Sequence, residues 1–123
     1  MSLRMTHQTK QVLFSARKLG HATNAAIQHD VQTQLPDLSA TTVHRITTRL
    51  IENGLLALGP ELKGSRIIDA NVMPHDHFVC EQCDGIKDVI ISDHSRRELQ
   101  QQVDALMLQS RLTITGDCTQ CKH

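Results

Sequence analysis

Two cysteine pairs, Cys80-x-x-Cys83 and Cys118-x-x-Cys121, and one histidine pair, His75-x-His77, are the residues of this chain best spaced for chemistry. A CxxC turn presents two thiolates to one ion, and four thiolates from two such turns suit zinc, which closes structural sites tetrahedrally and has no redox chemistry of its own. The pairs stand 34 residues apart, beyond the usual zinc-ribbon gap, so an intervening strand, helix and strand must bring them together. No βαβ pattern surrounds either pair, which argues against a thioredoxin-like redox role.

On a strand, His75, His77 and Val79 share one face while Asp76, Phe78 and Cys80 share the other. The two imidazoles then point the same way with Cα atoms about 6 to 7 Å apart, a span that fits two nitrogens on one ion. Asp69 just upstream and Asp88 on the next strand can add oxygens, and His21 lies between the first two helices. Mixed nitrogen and oxygen ligation without thiolate suits Fe2+, Mn2+ or Zn2+. An inert polar strand face is the alternative. His7, His29, His94 and His123 read as surface histidines.

These ligands need a scaffold, and the apolar periodicity supplies one. Val12, Leu13, Ala16 and Leu19 mark a helix over 7–19 ended by Gly20, and Ala26, Ile27, Val31 and Leu35 mark a second over 24–35 behind an N-cap at Thr23. After Pro36-Asp37, Ser39 caps a third helix with Val43, Ile46, Leu50 and Ile51 on one face, stopped at Asn53-Gly54. Strands over 55–58 and 66–69 around the loop 59–65 predict a hairpin, which makes the whole a winged helix-turn-helix. Residues 70–74 form the junction. The second half reads as strand 75–80, knuckle 80–85, strand 86–91, helix 95–109 and strand 111–115. Ser95 and Glu98 offer that helix a capping box, and Leu99, Val103 and Leu106 a buried stripe.

With Val43, Ile46 and Leu50 facing the core, Thr41, Thr42, His44, Arg45, Thr48 and Arg49 face outward. Short hydroxyls and arginines are the composition of a major-groove helix, and Lys63 and Arg66 on the wing can reach the flanking phosphates. Charge agrees with this. Residues 1–70 carry eight Lys/Arg against five Asp/Glu, and residues 71–123 carry five against eight, although the whole chain is neutral. Two Phe and no Trp or Tyr leave no aromatic platform for stacking single-stranded bases. No apolar run reaches membrane-span length and no signal-peptide h-region opens the chain, so a cytoplasmic location is expected. In a reducing compartment paired cysteines favour zinc over disulfides. An enzyme reading, a zinc-dependent hydrolase or deaminase, lacks the HExxH and HxE signatures. A zinc-stabilised interaction module with an inert histidine strand is a third class.

The run His75-Asp76-His77-Phe78-Val79-Cys80-Glu81-Gln82-Cys83, the following Gly85-Ile86-Lys87-Asp88, the closing Cys118-x-x-Cys121 and the helix opening Ala40-Thr41-Thr42-Val43-His44-Arg45 resemble the ferric uptake regulator family of bacterial metal-dependent repressors. The resemblance runs from about Arg4 to Cys121. It implies an α+β protein with a winged-helix DNA-binding domain over 1–70. A small α/β dimerisation and metal-sensing domain with an antiparallel sheet follows over 71–123. A non-enzymatic homodimer would bind palindromic operators in double-stranded DNA when its regulatory metal is present. It further implies structural zinc on the four cysteines and a regulatory site on His21, Asp69, His75, His77 and Asp88. The three-His, two-Asp set is similar to the peroxide-responsive branch, whose iron or manganese site makes peroxide sensing the alternative to metal homeostasis. The chain departs from the pattern in beginning late, without most of the first helix, and in carrying Thr9 for the arginine of a TxxR motif. His44 stands for a DNA-contacting Tyr, and Ser110 for a histidine of an additional site, which Asp76 alone would not hold.

Overall fold

The computed structural model describes residues 3–104 and 111–121. The chain divides between Val72 and Met73 into two compact units. In the first, α1 (His7–Leu19), β1 (His21–Ala22), α2 (Asn24–Val31) and α3 (Ala40–Glu52) precede the hairpin of β2 (Ala57–Leu62) and β3 (Ser65–Asp69). The helices begin at hydroxyl caps: Thr6 accepts from the Thr9 amide, Thr23 from Ala26 and Ser39 from Thr42. Each satisfies an amide that the first helical turn leaves without a partner. Of the residues that the helical spacing marks, Val12, Leu13, Ala16, Ile27, Val31, Val43, Ile46 and Leu50 form the core with Ala22, Leu38, Leu56 and Ile68; Leu35 and Ile51 pack partly buried against it, whereas Leu19 and Ala26 are exposed.

Three boundaries differ from expectation. The second helix stops at Val31 rather than 35, because the chain turns there and the Val31 carbonyl accepts from both Gln34 and Leu35. The wing strands are longer than predicted: Gly59-Pro60 lies inside β2, where a register shift between Leu58 and Glu61 absorbs the proline without requiring its missing amide. The turn proper is Lys63-Gly64, with φ of 50° and 81°, the left-handed pair that suits a two-residue hairpin. The third difference is β1 itself. Gly20, at φ 78°, ends α1 and redirects the chain so that His21 and Ala22 pair with β3, giving the sheet order β1-β3-β2.

The second unit comprises β4 (Asp76–Cys80), β5 (Ile86–Val89), α4 (Asp93–Val103) and β6 (Thr113–Gly116), with sheet order β5-β4-β6. The expected antiparallel sheet is in fact mixed: β5 runs antiparallel to β4, but β6 runs parallel to it. Parallel neighbours require a long crossover, and the segment carrying α4 is that crossover. The cap of α4 is Ser92, which accepts from the Ser95 amide, so the helix starts earlier than the Ser95/Glu98 box predicts and places Asp93 in its first turn. Its apolar stripe is not buried within one chain: Leu99 is 37% and Val103 58% exposed. Leu106, the end of the expected helix at 109, Ser110 and His123 lie outside the described residues.

Candidate metal centres and nucleic-acid face

The four cysteines meet in the second unit. Cys80 ends β4, Cys83 follows in a knuckle closed by hydrogen bonds from the Cys80 amide to Gly85 and from the Asp84 amide to Cys80, and Cys118 and Cys121 follow β6. The Cys80 and Cys121 sulfurs are 3.6 Å apart and those of Cys83 and Cys118 3.7 Å. A tetrahedron with zinc–sulfur bonds of about 2.3 Å has edges of about 3.8 Å, whereas a disulfide requires about 2.05 Å. The residues therefore fit an ion and not a covalent cross-link. Amides of Cys118, Cys83 and Gln82 point at the Cys80 sulfur from 3.3 to 3.4 Å. The Cys118 and Cys83 amides are the main cause of its pKa falling from 9.0 to about 6, which keeps this ligand anionic. Crowding by Cys118 pushes the Cys121 thiol the opposite way, since neighbouring sulfurs resist a second negative charge without a cation.

The histidines and carboxylates are arranged as cross-strand pairs. In the first unit His21 lies directly opposite Asp69 in the β1–β3 ladder, and its Nε2 is 3.4 Å from Asp69 Oδ2. Asp69 is 1% exposed, and its other oxygen accepts from the Asn71 amide at 2.9 Å. In the second unit His77 lies opposite Asp88 in the β4–β5 ladder, and His75, just ahead of β4, brings its Nε2 to 3.1 Å from Asp88 Oδ1. His77 Nε2 is 3.8 Å from the same oxygen, and the two rings stand 4.4 Å apart. Ligands about 2.1 Å from one ion stand about 3.0 to 3.4 Å from each other, so this trio is close to ligating geometry. His75 Nδ1 is 2.6 Å from the Met73 carbonyl, to which it donates, leaving Nε2 as the coordinating nitrogen.

One buried group escaped the sequence. Asp76, 2% exposed on the opposite face of β4, accepts hydrogen bonds from the Arg96 guanidinium and from the amides of Leu112 and Ile91. Burial alone would raise its pKa, but Arg96 and the two amides together hold the carboxyl below its usual range. The available signal was spacing: Arg96 extends the Leu99/Val103 stripe by one step toward the N-terminus of α4. With its acceptors used in this way, Asp76 serves to tie β4, α4 and the entry to β6 together.

On α3, Thr41, His44, Arg45, Thr48 and Arg49 are exposed and Thr42 is half-buried. Two of the hydroxyls turn back on the helix: Thr48 donates to the His44 carbonyl at 2.8 Å, and Thr42 accepts from Ser39 at 2.9 Å. Lys63 is at the wing tip. Arg66 donates from Nη1 to the Gly59 carbonyl at 3.0 Å, so part of its guanidinium closes the hairpin bulge. None of the described helices is long and apolar enough to cross a membrane.

A model of the ferric uptake regulator family matches residues 1–114. The ferric uptake regulation protein of Cupriavidus metallidurans is 27% identical over 92 residues, a match spanning 71% of this chain and 64% of that protein's length. Among solved structures, the Helicobacter pylori ferric uptake regulator Fur, described with three functional metal binding sites, is similar with a TM-score of 0.78 at 21% identity, covering 98% of this chain and 83% of its own. The ferric uptake regulator from Francisella tularensis with iron gives 0.77 at 18% identity, covering 100% and 97%. At these identities the structural likeness is one of fold, an α+β arrangement of helices and wing strands followed by a mixed sheet and helix. The family model extends over nearly the whole sequence, and the chain belongs to the ferric uptake regulator family.

Proposed function

We propose that the protein is a metal-dependent transcriptional repressor controlling metal homeostasis in the cytoplasm. In this reading it binds double-stranded operator DNA as a homodimer when a regulatory Fe2+, Mn2+ or Zn2+ is held by His21, Asp69, His75, His77 and Asp88. The observation that carries the reading is the division of these five donors: a His–Asp pair belongs to the unit bearing α3, and a His–His–Asp trio belongs to the other. Neither set alone completes an octahedral shell, and an ion favours whichever state of the protein binds it more tightly. Such an ion biases DNA affinity by no more than its difference in affinity between the DNA-competent state and the other. The cysteines in this account hold structural zinc.

Thr41, Thr42, His44, Arg45, Thr48 and Arg49 would enter the major groove, with Lys63 and Arg66 on the flanking backbone. The exposed apolar residues of the second unit support a homodimer: Ile90 is 90% exposed, and Leu99, Val103 and Ile114 are also uncovered. Such a face is covered by association. The test is His77→Ala. Operator binding should lose its metal dependence while zinc content and dimerisation persist, and an unchanged metal response would refute the assignment. Hydrogen peroxide added to the iron-loaded protein separates the two branches: loss of operator binding would mean peroxide sensing.

A further inference from the structure

Behind the exposed face of α3 runs a hydrogen-bonded chain that reaches from the core to the surface. The Thr47 hydroxyl, 1% exposed, lies 2.8 Å from Oδ1 of Asn24, the first residue of α2. The amide nitrogen of Asn24 lies 3.3 Å from Nδ1 of the exposed His44. Oxygen atoms 2.8 Å apart match an O–H···O bond, whose usual separation is shorter than that of N–H···O. With Thr47 donating to Oδ1, the Asn24 amide turns its nitrogen to the imidazole. That nitrogen carries only donors, so His44 Nδ1 must accept and the ring proton sits on Nε2. The same Thr47 hydroxyl is 3.2 Å from the His44 carbonyl, a longer contact that keeps it beside this turn of α3.

We propose that Asn24 and Thr47 are positioning residues that hold His44 as an outward hydrogen-bond donor through Nε2–H, and that this donor meets the N7 acceptor of a purine in the major groove. The inference rests on the reading of α3 as the DNA-facing helix. Chemically, an Nε2–H is matched by purine N7, guanine O6 and thymine O4, of which only N7 is removed by a 7-deaza analogue, and is opposed by the amino groups of cytosine N4 and adenine N6. A free imidazole rotates and exchanges tautomers; one anchored at Nδ1 by a side chain from a second helix does neither freely. His44 thereby determines specificity, whereas its neighbours Arg45 and Arg49 also supply sequence-independent charge.

The experiment uses the full chain loaded with manganese and a duplex selected by it from a random pool. Each purine of the duplex is replaced in turn by its 7-deaza analogue, and binding is read by fluorescence anisotropy. A position should appear in each half-site where the analogue costs the wild type about tenfold, the order expected of a good base contact. His44→Ala, Asn24→Ala and Thr47→Val should be insensitive there, while Thr47→Ser, which keeps the hydroxyl, should retain the sensitivity. Nitrogen-15 spectra of His44 should show the Nε2–H tautomer in the wild type. The proposal is overturned by an Nδ1–H tautomer, by uniform losses that mark a phosphate contact, or by 7-deaza sensitivity that survives His44→Ala. Failure to select any duplex would instead overturn the DNA-binding reading on which it stands.

Discussion

The thiolate cluster and the histidine–carboxylate sets are both built at the ends and edges of short strands, yet they are assembled in opposite ways. All four cysteines lie in one unit, in turns whose amides point at the Cys80 and Cys118 sulfurs, and their sulfurs lie within 4.8 Å of one another, two of the separations matching the edge of a tetrahedral shell. The other five donors are shared between the units as His21 opposite Asp69 and His77 opposite Asp88, with His75 beside the latter. A site complete within one unit contributes to folding. Donors divided between two units would, in the proposed function, report whether an ion is present. In the proposed function, permanence and responsiveness would follow from where donors stand in the chain as much as from whether they are sulfur or nitrogen.

Breaking the complete site should have the largest effect. Cys118→Ser should abolish zinc binding and melt the second unit, leaving the helical signal of the first, as followed by metal analysis and circular dichroism; full zinc content in this variant would mean that the cluster is not one site. Asp76→Asn tests whether that unit has a second, metal-independent fastening. Removing one member of a buried ion pair costs about 3 kcal/mol or more, so chemical denaturation should show such a loss with zinc still bound. Next in size, His21→Ala and His77→Ala should weaken the second ion equally, although they lie in different units. Titration calorimetry should give a loss exceeding the about 10- to 100-fold caused by disturbing a residue behind a metal ligand. Loss in only one of the two variants would confine the site to a single unit. The smallest effect belongs to Arg66→Ala, since that guanidinium is partly engaged by Gly59: affinity should fall by about threefold on all duplexes alike, as a phosphate contact would. A sequence-dependent loss would move Arg66 from the backbone to the bases.

Much of this comparison is legible in the sequence because its signals are local. The paired CxxC turns, the alternation of His75 and His77 and the apolar spacing of the first three helices depend on neighbours a few residues apart. What could not be read depends on pairing across the chain. β1 is only two residues long and exists because β3 offers it an edge, so no periodicity announces it, yet it sets His21 opposite Asp69. Gly59-Pro60 carries a loop signal that the bulge in β2 overrides. The stripe Leu99/Val103 does mark an apolar face of α4, but amphipathicity does not say whether the covering surface comes from the same chain. Arg96 looks like a solvent-facing charge until its distant partner, Asp76, is seen beneath it.

In the proposed function one chain carries a permanent ion and an exchangeable one, and only the second governs operator binding. Ions per chain and operator affinity should be measured on the same sample before and after brief treatment with a mild chelator, then again after adding Mn2+. Two ions are expected at the start, with loss of one together with operator affinity, retention of zinc on the cysteines, and recovery of the second ion and of operator affinity on metal addition. A single ion per chain, simultaneous loss of both, or operator affinity indifferent to the exchangeable ion would contradict it.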